Sequence, residues 1–195
     1  MDPVHRLDPH HGSITRILKA DNIYAIRYFC AAKGRSEGYP MKKIEKSVDY
    51  SENLNAQSSG LNKLIGLRFV LATTDEVVGE IDVRPDLMQP YGLIHGGLYC
   101  TMIETLCSTG AALNALPLGM ATVGVENSTS FIRAVRSGKI RGVALPLTRG
   151  RRTQGWQVEI RDDNEKLVAS GRVRMLNIEE GAKVGNAAVG LELPT

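Results

Sequence analysis

Cysteine is scarce in this sequence, with three residues in a chain of 195. Cys100 and Cys107 are seven positions apart in a predicted helix, a rise of about 10 Å that no disulfide can span. We also expect no signal peptide at the N-terminus, because the best apolar run there, residues 23 to 32, is interrupted by Arg27. These absences are typical of a protein in a reducing compartment, and we expect a cytoplasmic location.

Long hydrophobic runs, abundant aromatic residues and a strong charge imbalance are absent as well. No stretch reaches the roughly 18 uninterrupted apolar residues that a membrane-spanning helix needs. The net charge is only +3 and aromatic residues make up 5% of the chain, so the sequence does not favour a nucleic-acid partner. Three N-terminal histidines, His5, His10 and His11, form no metal-binding pattern, and we expect neither a metal nor a cofactor.

The composition, with 43% hydrophobic residues, is typical of one globular domain with a buried core. Residues 1–60 differ from the rest, because prolines and glycines interrupt the pattern and a polar stretch follows at 51–59. We expect a weakly ordered N-terminal extension over 1–60, a folded domain over 61–178 and a loose C-terminal tail over 179–195. Met41 could serve as an alternative start, which would make the residues before it dispensable.

Hydrophobic periodicity within residues 61–178 predicts a short helical entry at Leu61 and Leu64–Leu67, one long helix and six strands. The long helix is more apolar than an ordinary surface helix, which indicates that it is largely buried. The predicted elements are strands at 69–73 and 77–83, the helix at 97–114, and strands at 122–132, 139–147, 155–162 and 166–178. This order of hairpin, helix and four strands predicts an α+β fold in which an antiparallel sheet wraps around one long helix.

The start of the predicted helix offers backbone donors to a ligand. Gly96 and Gly97 precede the apolar run, so their N–H groups lie at the positive end of the helix dipole. Glycine has no Cβ, which lets a carbonyl oxygen approach its N–H closely, and one donor of this kind contributes about 3 to 4 kcal/mol in acyl transfer. The alternative is that the two glycines only turn the chain into the helix.

Glu104 is the only charged residue of the predicted helix, and no neighbouring cation compensates it. A carboxylate in such a setting suits a nucleophile or a general base, although it could also reach solvent or bond to Ser108 one turn on. Gly96 and Glu104 are eight positions apart, about 12 Å along one helix axis, too far to act on the same carbon. We therefore predict a site at a two-fold interface, where Gln89, His95 and Gly96 of one chain face Glu104 and Ser108 of the other.

These residues resemble the hotdog-fold acyl-CoA thioesterases. The similarity covers about residues 61 to 178 and is strongest to the branch of phenylacetic-acid-degradation, 4-hydroxybenzoyl-CoA and 1,4-dihydroxy-2-naphthoyl-CoA thioesterases. The matching segments are Gln89–Gly97 with Glu104 and Ser108, then Val123–Asn127, Phe131–Arg133, Gly138–Gly142, Pro146–Leu147, Gly150–Gln154 and Trp156–Val158. The resemblance implies a hotdog fold and hydrolysis of an acyl-CoA with an aromatic or bulky acyl group, in a homodimer or homotetramer.

The same resemblance implies a role for each candidate residue. Glu104 would be the nucleophile or general base, the Gly96 amide would polarise the thioester carbonyl, and Ser108 would assist water or the carboxylate. Gln89 and His95 would orient the carbonyl end, with Gly97 beside them as part of the substrate-binding surface.

A basic cluster fits a substrate that carries phosphates. Its members are Arg133, Arg136, Lys139, Arg141, Arg149, Arg151 and Arg152. CoA has a pyrophosphate and a 3′-phosphate, which guanidinium groups bind in a bidentate manner. Arg151 and Arg152 are the leading candidates, together with Arg133. The alternative is that these side chains are ordinary solvated ends of strands.

Other functions remain open at this point. A hotdog protein could bind acyl-CoA without hydrolysing it, as a sensor or carrier, but the presence of Glu104 favours hydrolysis. A cysteine hydrolase using Cys100 with His95 is less favoured, because the two side chains diverge at the start of a helix. A hotdog dehydratase would need a different arrangement of histidine and carboxylate. The acyl group and the choice between nucleophile and general base are left undetermined.

Overall fold

The computed structural model divides the chain into two units, residues 1–44 and 45–195. The residues it describes are 17–20, 23–26, 47–179, 181–184 and 187–188. In the first unit, strands β1 (Ile17–Ala20) and β2 (Ile23–Ile26) pair in an antiparallel manner. The three N-terminal histidines lie outside the described residues.

The second unit contains the six predicted strands and the predicted helix. Its elements are α1 (Ser51–Ala56), α2 (Gly60–Ile65), β3 (Arg68–Ala72), β4 (Val77–Asp82), α3 (Gly96–Ala115), β5 (Met120–Phe131), β6 (Lys139–Arg149), β7 (Thr153–Asp162), β8 (Leu167–Glu179), β9 (Lys183–Val184) and β10 (Ala187–Ala188). Strands β3 to β8 form one antiparallel sheet in the order β3-β4-β6-β7-β8-β5. The predicted α+β class, with an antiparallel sheet against one long helix, is confirmed.

Helix α3 lies against the sheet and supplies much of the core. Met102, Ile103 and Leu106 are fully buried, which agrees with the apolar character predicted for this helix. The helix and sheet approach closely at Gly110, where an added Cβ would lie 2.4 Å from the ring of Trp156. No helix within the described residues is long and apolar enough to cross a membrane.

Helix α1 differs from the sequence-based expectation of weak order over residues 51–59. Its polar side chains have specific partners on strand β3, where Asn55 both accepts from the backbone N–H and donates to the backbone carbonyl of Phe69, each at 2.8 Å. The backbone N–H of Tyr50 donates to the carbonyl of Ala72 at 2.8 Å. The polar groups of this stretch thus pair with an edge strand in the structure, a contact that the polar composition alone does not indicate. The domain boundary near residue 60 and the loose tail after 178 stay predictions.

The two edges of the sheet differ in what covers them. The segment containing Tyr50 and α1 runs beside β3, a strand of five residues. Strand β5, at the other edge, has twelve residues and pairs only with β8 within the described part of the chain. Most of its residues from Gly124 to Phe131 are exposed. A long, uncovered edge strand is a surface on which another strand can pair.

Candidate active site

The first turn of α3 has one occupied and one free backbone donor. His95 is the N-cap residue, and its Nδ1 accepts a hydrogen bond from the N–H of Gly97 at 2.9 Å. The N–H of Gly96 has no hydrogen-bond partner among the described residues. The two glycines therefore differ in the structure: of their two amides, only that of Gly96 is left without a partner in the described residues and can bind a ligand.

A small cavity of about 210 Å³ opens beside this free amide. Gln89, Gly96 and Arg133 line it together with Phe131, so three predicted site residues meet here. Phe131 lies over Gly96, because an added Cβ at Gly96 would come within 2.9 Å of its ring. Tyr99 completes the wall, and burial raises the pKa of its hydroxyl to about 12, with Asp162 adding to the effect. We call this region, with His95, the donor half of the site.

Glu104 lies two turns further along α3, with each carboxylate oxygen next to one neutral donor. The hydroxyl of Ser108 donates to Oε1 at 3.3 Å, and the side-chain amide of Asn127 donates to Oε2 at 2.9 Å. No cation within the described residues forms an ion pair with this carboxylate. With no cation paired to it in the described residues, this side chain can act on a proton or on an electrophilic carbon.

Strand β5 fixes the position of Glu104 through two residues that the sequence analysis did not single out. Asn127 donates also to the backbone carbonyl of Cys100 at 3.1 Å, so its amide bridges helix and carboxylate. Gly124 lies directly beneath the carboxylate, because an added Cβ would be 2.1 Å from Oε1. Both lie in the segment Val123–Asn127 that carries the resemblance, but only the fold reveals their contact with Glu104. We call Glu104, Ser108, Gly124 and Asn127 the acid half of the site.

The two halves are separated within one chain. Gly96 and Glu104 both belong to α3, and their eight-residue spacing corresponds to about 12 Å along the helix axis. The structure thus brings Gln89, His95 and Gly96 together, and separately brings Glu104 and Ser108 together. One chain does not assemble all five.

The predicted basic residues fall into paired and unpaired groups. Arg133, Arg151 and Arg152 are exposed and form no ion pair within the described part of the chain. Arg141 and Lys139, in contrast, bind the same carboxylate of Glu80 at 2.6 and 3.1 Å. Arg133 lies at the donor half, whereas Arg151 and Arg152 lie in the turn between β6 and β7.

The two thiol groups in the described part of the chain, those of Cys100 and Cys107, do not form the alternative cysteine-hydrolase site. Burial, reinforced by the nearby Glu104 carboxylate, raises the pKa of the Cys107 thiol strongly, so this thiol stays protonated. The Nδ1 atom of His95 is already bonded to Gly97, which leaves it unavailable as a base for Cys100. Within the described residues, no three histidine, cysteine or acidic side chains could hold a metal ion together.

Comparison with known proteins places this geometry in a family. Residues 91–169 match the family model described as the thioesterase superfamily. Rv1847 of Mycobacterium tuberculosis is 46% identical over 117 residues, covering 59% of this chain and 84% of that protein. Its solved structure has a TM-score of 0.60 at 44% identity, covering 60% of this chain and 95% of that chain.

Two further relatives carry names that state an activity. The proofreading thioesterase EntH of Cronobacter turicensis is 36% identical over 123 residues, covering 63% of this chain and 89% of that protein. The 1,4-dihydroxy-2-naphthoyl-CoA hydrolase of Escherichia coli is 33% identical over 123 residues, covering 63% and 90%. These matches define the class: the protein is a thioester hydrolase with the hotdog fold. The chain belongs to the thioesterase superfamily.

Proposed function

We propose that this protein hydrolyses an acyl-CoA thioester to the free acid and CoA, with Glu104 as the catalytic carboxylate. The observation that carries the proposal is the setting of Glu104, held between Ser108 and Asn127 without a counter-charge in the described residues. A CoA thioester is supported by the named activity of the E. coli relative, which acts on an aromatic acyl group. An aromatic or bulky acyl group is accordingly our expectation here.

The chemistry requires a donor for the carbonyl oxygen and a carboxylate for the carbonyl carbon. The free N–H of Gly96, at the positive end of α3, would stabilise the negative charge that develops on the oxygen. Glu104 would either attack the carbon directly or remove a proton from an attacking water. In both routes the C–S bond breaks, the sulfur leaves as the thiol of CoA, and water supplies the hydroxyl of the acid.

Because the two halves lie about 12 Å apart along α3, we propose that two subunits complete each site. Gly124 lies beneath Glu104, and Phe131 lies over Gly96. If β5 pairs with β5 of a second copy about a two-fold axis between Asn127 and Ser128, residue 124 of one chain falls opposite residue 131 of the other. Glu104 would then face Gly96 of the partner subunit. This arrangement suits a homodimer or a dimer of dimers.

The remaining candidates take supporting roles in this proposal. His95 caps the helix through Gly97 and so leaves the Gly96 amide directed at the carbonyl oxygen, while Gln89 orients the same end of the substrate. Ser108 supports the carboxylate or the attacking water. Arg133, Arg151 and Arg152, which have no ion pair in the described residues, would bind the phosphates of CoA.

Replacement of the carboxylate by an isosteric amide tests the assignment of Glu104. We expect Glu104→Gln to lower kcat by at least about 100-fold, the effect of removing a positioned base. The measurement is thiol release from a panel of aroyl-CoA and alkanoyl-CoA esters. Glu159→Gln, a change at an exposed carboxylate of β7, is the matched control and should retain full turnover. Retention of turnover by Glu104→Gln would overturn the assignment.

Mixed dimers test whether the two halves of a site come from different subunits. One chain carries Glu104→Gln and the other Gly96→Val, whose side chain would crowd the amide and Phe131. Co-expression with two affinity tags isolates the mixed dimer. Each mixed dimer contains one intact site if the halves come from different subunits, so we expect about half of the wild-type activity. No recovery over the two homodimeric variants would contradict the shared site.

A further inference from the structure

A second and larger cavity, of about 480 Å³, lies between α3 and the segment that contains α1 and α2. Leu54, Phe69, Leu113 and Leu116 give it apolar walls. The size is in the range of pockets that hold small organic molecules. Helix α3 forms one wall of this cavity and also carries Glu104, so the cavity lies beside the acid half of the site.

Ser108 connects this cavity to the candidate catalytic carboxylate. Its side chain lines the cavity, and its hydroxyl donates to Oε1 of Glu104 at 3.3 Å. A group held in the cavity would therefore contact the side chain that donates a hydrogen bond to the carboxylate. We propose that this cavity binds the acyl group of the thioester and selects uncharged acyl groups. This inference rests on the proposed function, because it assumes that Glu104 acts on the thioester carbon.

The selection against charge follows from the lining. None of the described residues that line the cavity is acidic or basic. A second carboxylate on the acyl group would lose its water there without gaining a cation, and burial of an unpaired charge is unfavourable. It would also lie near Glu104, a carboxylate of the same sign. Dicarboxylic acyl groups should therefore be poor substrates.

Neutral polar substituents on the acyl group, in contrast, have partners available. Gln57, Ser58 and Thr109 line the cavity, and their side chains form no hydrogen bond to other described residues. Their amide and hydroxyl groups can bond to a hydroxyl, carbonyl or amide on the acyl group. The ligand class is therefore an uncharged acyl group that carries neutral hydrogen-bonding groups.

The wall that contributes Ser58 and Gln57 is fixed to the rest of the domain. The hydroxyl of Thr105 on α3 donates to Oδ1 of Asn62 on α2 at 3.1 Å, and Asn55 of α1 bonds twice to Phe69 of β3. This wall precedes residues 91–169, the part that matches the family model. The acyl preference of this protein is thus set in part by residues outside the matched range.

Two substrates that differ only in charge test the selection. The probes are 4-carbamoylbenzoyl-CoA, which is neutral, and 4-carboxybenzoyl-CoA, which has nearly the same shape and a negative charge. We expect kcat/KM to be at least about tenfold higher for the neutral ester, because the charged one loses water without a cation in return. Equal values for the two esters, in an enzyme that still depends on Glu104, would overturn the inference.

Paired substitutions inside and outside the cavity test whether the cavity lining causes the preference for neutral acyl groups. Ser58→Lys places a cation at the cavity and should narrow the preference for the neutral ester, whereas Ala56→Lys, at an exposed position of α1 outside the lining, should not. Ser58→Trp should reduce kcat/KM for aroyl esters by about tenfold or more, and for acetyl-CoA by a smaller factor, since the larger acyl group needs more of the space. Ala56→Trp should affect neither, and melting temperatures establish that all variants are folded.

The outcomes separate this inference from the proposed function. Loss of all thioester hydrolysis in Glu104→Gln, combined with equal effects of the Ser58 and Ala56 substitutions, would leave the catalytic assignment in place and reject the acyl cavity. Full activity of Glu104→Gln would reject the catalytic assignment and, with it, the inference.

Discussion

The two edge strands of the central sheet differ in whether other parts of the same chain cover them. Along β3, side chains and backbone from the segment before it bond to the strand's own groups, as Asn55 does with Phe69. Along β5, twelve residues form an edge in which Val125 and Phe131 are 49% and 59% exposed. One edge is closed within the chain and the other is open to a second chain.

The open edge is also the strand that builds both halves of the site. Asn127 and Gly124 hold Glu104, and Phe131 lies over Gly96. In the dimer that we propose, assembly and catalysis depend on the same strand, whereas the closed edge contributes to stability. The comparison predicts that substitutions on β5 change oligomeric state and turnover, and that substitutions along β3 change the free energy of unfolding.

The largest effect is expected from a charge on the open edge. Val125→Asp should prevent pairing of β5 with a second copy, because a buried carboxylate without a partner is unfavourable at an interface. We expect a monomer by light scattering coupled to size-exclusion chromatography, and a loss of at least about 100-fold in kcat, since each half-site alone lacks its complement. The control is Leu64→Asp, at a side chain on α2 that is 69% exposed. This variant should keep the oligomeric state and the kcat of the wild type. A fully active monomeric Val125→Asp would disprove the shared site.

An intermediate effect is expected from Asn127, which we propose as a positioning residue for Glu104. Asn127→Leu keeps the size of the side chain and removes the donor to Oε2 and to the Cys100 carbonyl. We expect kcat to fall by about 10-fold or more with KM nearly unchanged, because the interaction matters for chemistry rather than for binding. The free energy of unfolding should change by less than about 1 kcal/mol, as is usual for an exposed side chain. A rise in KM alone would point to a role in binding instead.

The sequence predicted the fold well because hydrophobic periodicity marks buried elements. The helix was predicted at 97–114 and lies at Gly96–Ala115, and the predicted strand at 155–162 corresponds to Thr153–Asp162. Both contain apolar side chains at regular spacing, such as Trp156, Val158 and Ile160. The hydrophobic spacing in the sequence matches the buried face of each element, because burial of these side chains stabilises the helix or strand.

The candidate site was only partly accessible from the sequence. The glycines and Glu104 belong to one continuous segment, so their spacing along a helix could be calculated. Asn127 could not be assigned, because it lies 23 residues from Glu104 and meets it through the pairing of β5 with β8, whose register shifts between Gly124 and Glu126. Helix α1 was missed for a similar reason, since its polar groups gain partners only when β3 is in place.

The smallest effect on turnover is expected on the closed edge. Asn55→Leu removes both hydrogen bonds to the backbone of Phe69, which leaves a donor and an acceptor of β3 unpaired and should lower the free energy of unfolding by about 1 to 3 kcal/mol. We expect kcat to stay within about twofold of wild type and the oligomeric state to be unchanged, because neither β5 nor α3 is altered. KM for aroyl esters should rise, because Asn55 helps to hold the wall of the proposed acyl cavity. Chemical denaturation and steady-state kinetics measure the two quantities. Asn127→Leu serves as the reciprocal control, with kcat lowered and stability kept. If both substitutions lowered stability and turnover alike, the two edges would not be functionally distinct.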